Sequence, residues 1–154
     1  LGESLIAEYA NTYIVDDDEL ERVKKSYPVI WKNPDATPKL CFVGCPHLSL
    51  EQLKNWTVKI DAELKKNGKK KVSIPTVFTA APGVLEAFEK TEYAEKLKET
   101  GVILSYICPL MYMNNPLCKK MPVITSSNKL RTYTSARYGT DEEILHIITG
   151  GKKH

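Results

Sequence analysis

Val43-Gly44-Cys45-Pro46-His47-Leu48-Ser49-Leu50 is the stretch on which the fold turns. The apolar run from Leu40 to Val43 reads as a short buried parallel strand that stops at a Cys-Pro dipeptide. Proline has no N–H and holds the residue before it extended, which sets Cys45 at the strand tip. Ser49 then caps a helix, with Gln52 closing a capping box. Along that helix Leu50, Leu53, Trp56, Ile60 and Leu64 recur at helical spacing, and Lys65, Lys66 and Gly68 end it. The same device returns at Ile107-Cys108-Pro109, where the run Val102 to Tyr106 feeds a second Cys-Pro. A further strand, Pro122 to Thr125, ends in Ser126-Ser127-Asn128-Lys129.

Working outward, Asp17 and Asp18 start a helix that runs to about Ser26, and Pro28, Asn33-Pro34 and Thr37-Pro38 punctuate an irregular connection. Val72 to Thr79 reads as a strand interrupted by Pro75, which suggests an edge position or a kinked entry. A helix from about Val84 carries Leu85, Phe88, Tyr93 and Leu97 on one face until Gly101. Asn114-Asn115-Pro116 makes the segment of Cys118 loop-like, and Lys129 to Tyr138 can be helical. Thr140 caps a last helix, with Glu142 and Glu143 in its first turn, which reaches Ile148 before Gly150-Gly151. The order β-α-β-α-β-β-α-α predicts a three-layer α/β domain, a mostly parallel sheet of about four strands flanked by helices. Residues 1–154 are expected to form a single domain, with residues 1–38 the least defined part. Open sheets of this kind bind ligands outside the carboxyl ends of their strands.

Composition narrows the function classes. The chain has 154 residues, 42% apolar and 27% charged, with a net charge of +3 spread among nearly as many acids. That balance argues against a nucleic-acid partner, and no apolar run is long enough for a membrane span or signal peptide. A cytoplasmic location is expected. In that setting Cys41, Cys45, Cys108 and Cys118 point to a metal or to buried thiols rather than to disulfides. Lys69-Lys70-Lys71 reads as a solvated helix end.

Cys45 and Cys108 are the candidate metal ligands, because two thiolates at neighbouring strand ends could hold iron or an iron–sulfur cluster. Two buried structural cysteines would satisfy the same spacing, which matches no compact metal motif. Cys41, four residues before Cys45, is expected on the same sheet face but deeper, as core. His47, beside a helix start, suits a general acid, a substrate contact or a capping role. Ser126, Ser127 and Lys129 lie where helix amides could hold a carboxylate or phosphate, and a plain N-cap serine is a strong alternative reading. Arg131, Tyr133 and Arg137 could line an anionic substrate or simply cover a helix surface.

These residues together resemble a known family. Val43-Gly44-Cys45-Pro46-His47-Leu48-Ser49 with Glu51 and Leu53 resembles the Gly-Cys-Pro-His segment of the aconitase X large (catalytic) subunit. Ile107-Cys108-Pro109 resembles its second Cys-Pro segment, and Thr125-Ser126-Ser127-Asn128-Lys129 with Tyr133 is similar to its Thr-Asn-Ser-x-Lys…Tyr stretch. The likeness runs from about residue 40 to 150, in order. It implies a hydro-lyase that dehydrates a hydroxy acid, such as cis-3-hydroxyproline or phosphomevalonate, with an iron or iron–sulfur centre held by three cysteines. Cys45 and Cys108 would be two ligands, the third lying upstream; Ser127, Lys129 and His47 would be catalytic, and Ser126 and Tyr133 would bind substrate. Ser126 replaces the motif's Asn, and Thr132 stands where a His often precedes the Tyr, so the substrate stays open. The chain, which starts at Leu1, would be the C-terminal domain of a longer subunit. Its partners would be the rest of that subunit and a small swivelling subunit. Alone it is expected to hold no cluster and to be inactive. A small-anion-binding module and a thiol-redox module are the alternatives.

Overall fold

The computed structural model describes residues 6–113 and 115–150. Five parallel strands form one sheet in the order β3-β2-β1-β4-β5: β1 (Leu40–Leu48), β2 (Thr76–Ala80), β3 (Ile103–Ser105), β4 (Val123–Thr125) and β5 (Arg137–Tyr138). The expected three-layer α/β architecture is present, with one more strand than the sequence suggested.

One face of the sheet packs on α2 (Leu50–Lys66), α3 (Pro82–Glu89), α4 (Glu92–Glu99) and α8 (Asp141–Thr149). The capping box at the start of α2 is formed: Ser49 Oγ accepts from the Gln52 amide, and Gln52 Oε1 accepts from the Ser49 amide at 2.9 Å. This turns Leu53, Trp56, Ile60 and Leu64 onto Cys41, Val43 and Phe78 of the sheet, with the Trp56 and Phe78 rings edge to face at 5.3 Å. The other face is covered by three short helices: α5 (Pro109–Met113), α6 (Pro116–Lys119) and α7 (Asn128–Tyr133). They bury Met113 and Leu130 against Leu40, Phe42 and Val123, and Tyr112 stacks on Phe42 at 5.6 Å. Helix α1 (Asp17–Lys25) buries no side chain; Lys24 reaches Glu143 of α8.

Several expectations change. The strand does not end at Cys45-Pro46. Gly44 takes φ +110°, and between Val43↔Phe78 and Leu48↔Ala80 strand β1 spends five residues where β2 spends two. The Cys-Pro turn, with its cis Cys45–Pro46 bond, therefore bulges out of the sheet before Leu48 returns to the core. The bulge also breaks the two-residue alternation. Cys41 packs with the α2 side, whereas Cys45 packs with the α5–α7 side, not on the face they were expected to share.

Residues 72–75 are not strand: the Val72 amide donates to Thr100 O and the Ser73 amide to Ile148 O, and pairing starts only after Pro75. The helix expected from Val84 to Gly101 breaks at Lys90-Thr91, where the Thr91 amide and hydroxyl both donate to Phe88 O. The segment of Cys118 is the single turn α6, capped by Asn115, rather than a loop; Asn114 lies outside the described residues, as do residues 1–5 and 151–154. Lys129 to Tyr138 is not one helix. At Thr134 the backbone becomes extended (φ −142°, ψ −177°), the Thr134 hydroxyl donates to Leu130 O, and the chain continues into β5.

Candidate functional site

Parallel pairing sends every strand's carboxyl end to one rim. From β1 the chain proceeds outward through β2 to β3 and then crosses to β4 on the other side, so the strand order reverses between β1 and β4. A crevice opens outside the sheet at such a reversal. Here it is a cavity of about 410 Å³. The bulge from Gly44 to Leu48 forms one wall, Ser126 after β4 and Tyr138 of β5 form another, and Thr140, Asp141 and Glu142 at the start of α8 close it.

The bulge is held from below. Thr79 of β2 donates its hydroxyl to Gly44 O at 2.5 Å, and a β-carbon at Gly44 would lie 2.3 Å from Thr79 O. Only glycine fits there, which fixes the direction in which Cys45 leaves the strand. The cavity thus unites three of the expected site residues: Cys45, half-buried; His47, exposed; and Ser126, half-buried.

The other expected residues are placed differently. Ser127 is buried behind Ser126 and caps α7, its Oγ accepting from the Leu130 amide at 2.9 Å. Lys129 is exposed on α7. Tyr133, also exposed, lines a second hollow of about 370 Å³ with Ile30 and Met113, not the first. Arg131 stacks on Tyr27 at 3.9 Å and Arg137 on Trp31 at 5.1 Å, and neither lines the first cavity.

Cys108 follows the end of β3 by three residues, half-buried at the start of α5. Strands β1 and β3 flank β2, so their axes stand roughly 10 Å apart. Helix α5, which follows Cys108, folds back over Phe42 of β1 through Tyr112. All four cysteines are free thiols. Complete burial holds the Cys41 thiol protonated far above its ordinary range, which removes it as a ligand. Cys45 and Cys108 are half-buried thiols, soft donors of the kind iron accepts. Among the described residues no three His, Cys, Asp or Glu side chains converge to hold a metal. The donor set fits part of an iron site and does not close one.

Tyr138, Asp141 and Glu142 were not anticipated at this site. Burial, then the neighbouring Tyr27 and Asp141, push the Tyr138 phenol up, so it stays a hydrogen-bond donor through neutral pH. The signal available was the cap at Thr140; its meaning depended on recognising β5 just before it.

A parallel α/β domain whose ligand cavity sits at the reversal of strand order is the class that fold and site define. Its family follows from the sequence: the chain belongs to the aconitase X family, residues 38–147 matching the model of the aconitase X third domain. It is also similar to the crystal structure of Thermococcus kodakaraensis aconitase X (holo-form), with a TM-score of 0.63 and 24% identity. That similarity covers 85% of this chain and 33% of the other, so the chain spans about a third of that protein's length. The match is one of fold. No curated protein matches the chain. Among the described residues no helix is long and apolar enough to cross a membrane.

Proposed function

We propose that this chain is the third, C-terminal domain of an aconitase X-type hydro-lyase subunit that dehydrates a hydroxy acid. The observation that carries the reading is the Gly44–Leu48 bulge, which turns Cys45 and His47 toward Ser126 across one cavity in a chain of this family. Cys45 and Cys108 would supply two ligands of an iron or iron–sulfur centre, completed from the rest of the subunit. When bound, that centre would act as the Lewis acid that makes hydroxide a tolerable leaving group.

The remaining chemistry falls to the chain's own groups. By the family resemblance Ser127 would be the base for the proton on the carbon next to the substrate carboxylate; in this chain its Oγ caps α7, accepting from the Leu130 amide. His47, exposed on the cavity wall, suits proton donation to the departing oxygen. Ser126 would hold the substrate, with Lys129 and Tyr133 meeting parts of it, or of a partner, beyond the cavity. The partners of this reading are the preceding domains and a small subunit; its setting is the cytoplasm.

The test is iron content and dehydration of candidate hydroxy acids by the intact subunit with its partner, in wild type, Cys45→Ser and Cys108→Ser. Loss of iron and turnover together in both variants is expected, with no turnover by the 154-residue chain alone. A Cys45→Ser subunit that keeps its iron and activity would overturn the assignment. A reversible Cys45–Cys108 disulfide without iron would favour the redox alternative.

A further inference from the structure

Both Cys-Pro segments are tied down at the carboxyl rim of the sheet in the same way. Thr79 and Ser105 are register partners on the adjacent strands β2 and β3. Each hydroxyl holds the residue just before a cysteine. Thr79 Oγ1 donates to Gly44 O, one residue before Cys45. Ser105 Oγ accepts from the Ile107 amide at 3.1 Å, one residue before Cys108.

Tyr112 closes the arrangement. Its hydroxyl and Ser105 Oγ share a hydrogen bond at 2.9 Å, and its ring lies nearly parallel to that of Phe42, 5.6 Å away and inclined by 16°. Phe42 stands on β1 two residues before Gly44. The Met111 amide donates to Cys108 O at 2.9 Å, which forms the turn from Cys108 into the helix that carries Tyr112. The Cys108 segment is thus bonded to the end of β3 and, through Tyr112, rests on the strand that carries Cys45. A side chain that must meet a partner at a set distance needs its backbone held in this way, because an unrestrained loop samples many separations.

We propose that Ser105 and Tyr112 are positioning residues for the two thiols. Together with Thr79 they fasten the Cys45 and Cys108 segments to one pair of hydroxyls in register, so the pairing of β2 with β3 sets where the sulfurs stand. The proposal rests on the hydro-lyase reading for the use made of those thiols; the bonds that hold them stand apart from it.

The experiment reads the thiols first. In the iron-free protein, alkylation of each cysteine by iodoacetamide is followed by mass spectrometry. Ser105→Ala removes both bonds and should speed Cys108 by roughly fivefold or more, with Cys45 and Cys118 unchanged. Tyr112→Phe keeps the ring on Phe42 and removes one bond, so a smaller rise confined to Cys108 is expected. Thr79→Val should give the reciprocal pattern, releasing Cys45 and not Cys108. Ser105→Thr, which keeps the hydroxyl, should restore the wild-type rate. The urea midpoint of the Ser105 and Tyr112 variants should move by no more than about 0.5 M. In the intact subunit, Ser105→Ala should lose iron to a chelator roughly tenfold faster or more, and Ser105→Thr at the wild-type rate. An unchanged Cys108 rate, equal acceleration of Cys45, Cys108 and Cys118, or no rescue by Ser105→Thr overturns the proposal. So does iron held by Ser105→Ala as firmly as by wild type. A wild-type subunit that binds no iron removes the hydro-lyase reading, and the alkylation pattern then decides the positioning role by itself.

Discussion

Gly44→Ala is the substitution that most directly tests how the site is built. The new β-carbon would meet Thr79 O at 2.3 Å, Thr79 Oγ1 at 2.6 Å and Thr79 N at 2.9 Å. Two of these three atoms are backbone of the adjacent strand, so no side-chain rotation relieves the clash. The φ of +110° adds conformational strain on the order of 1–3 kcal/mol for any residue with a β-carbon. Forcing β1 and β2 apart costs about 1–3 kcal/mol more. Together these give roughly 2–6 kcal/mol, a large share of the 5–15 kcal/mol that holds a typical domain. With a urea m-value of about 2 kcal/mol/M, the unfolding midpoint should fall by roughly 1–3 M. Adding Thr79→Ala removes the hydroxyl but neither backbone atom, so the double variant should recover little. A midpoint shift below about 0.5 M, or full rescue by Thr79→Ala, would refute the claim that the backbone of β2 shapes the bulge.

Other outcomes follow from the same structure. Under native conditions a thiol reagent should modify Cys45, Cys108 and Cys118 and spare Cys41, as read by mass spectrometry; modification of Cys41 at a comparable rate would contradict its burial. Because the folded Cys41 thiol titrates above its unfolded value of about 9.0, its contribution is complete below that pH and declines as pH rises past it. The loss is at most about 1.4 kcal/mol per pH unit, and chemical denaturation between pH 8 and 10 should show this slope diminished in Cys41→Ala. Ser49→Ala and Thr140→Ala each open a capping box and should each cost about 1 kcal/mol, near-additively, by urea denaturation. Trp31→Phe removes the 2.7 Å indole bond to Ser135 O and should cost about 1–2 kcal/mol, read as a thermal shift.

What the sequence determined by itself was the local chemistry. Ser49 with Gln52, and Thr140 with Glu143, are helix starts because side chain and amide lie within one turn, and the order of strands and helices implied a parallel sheet. The Ser-Ser motif could be assigned to the end of β4 for the same reason, whereas the strand expected to stop at Cys45-Pro46 runs on to Leu48. The tertiary structure alone decided which of these groups share a cavity. Strand β5 is two residues long, too short to show alternation, yet it brings Tyr138 and the start of α8 to the site through pairing with β4. The bulge at Gly44 is fixed by Thr79, a residue 35 positions away, and it alone moves Cys45 to the opposite face from Cys41. Such contacts depend on strand order, which reverses at β1, and nothing in a local spacing carries that order.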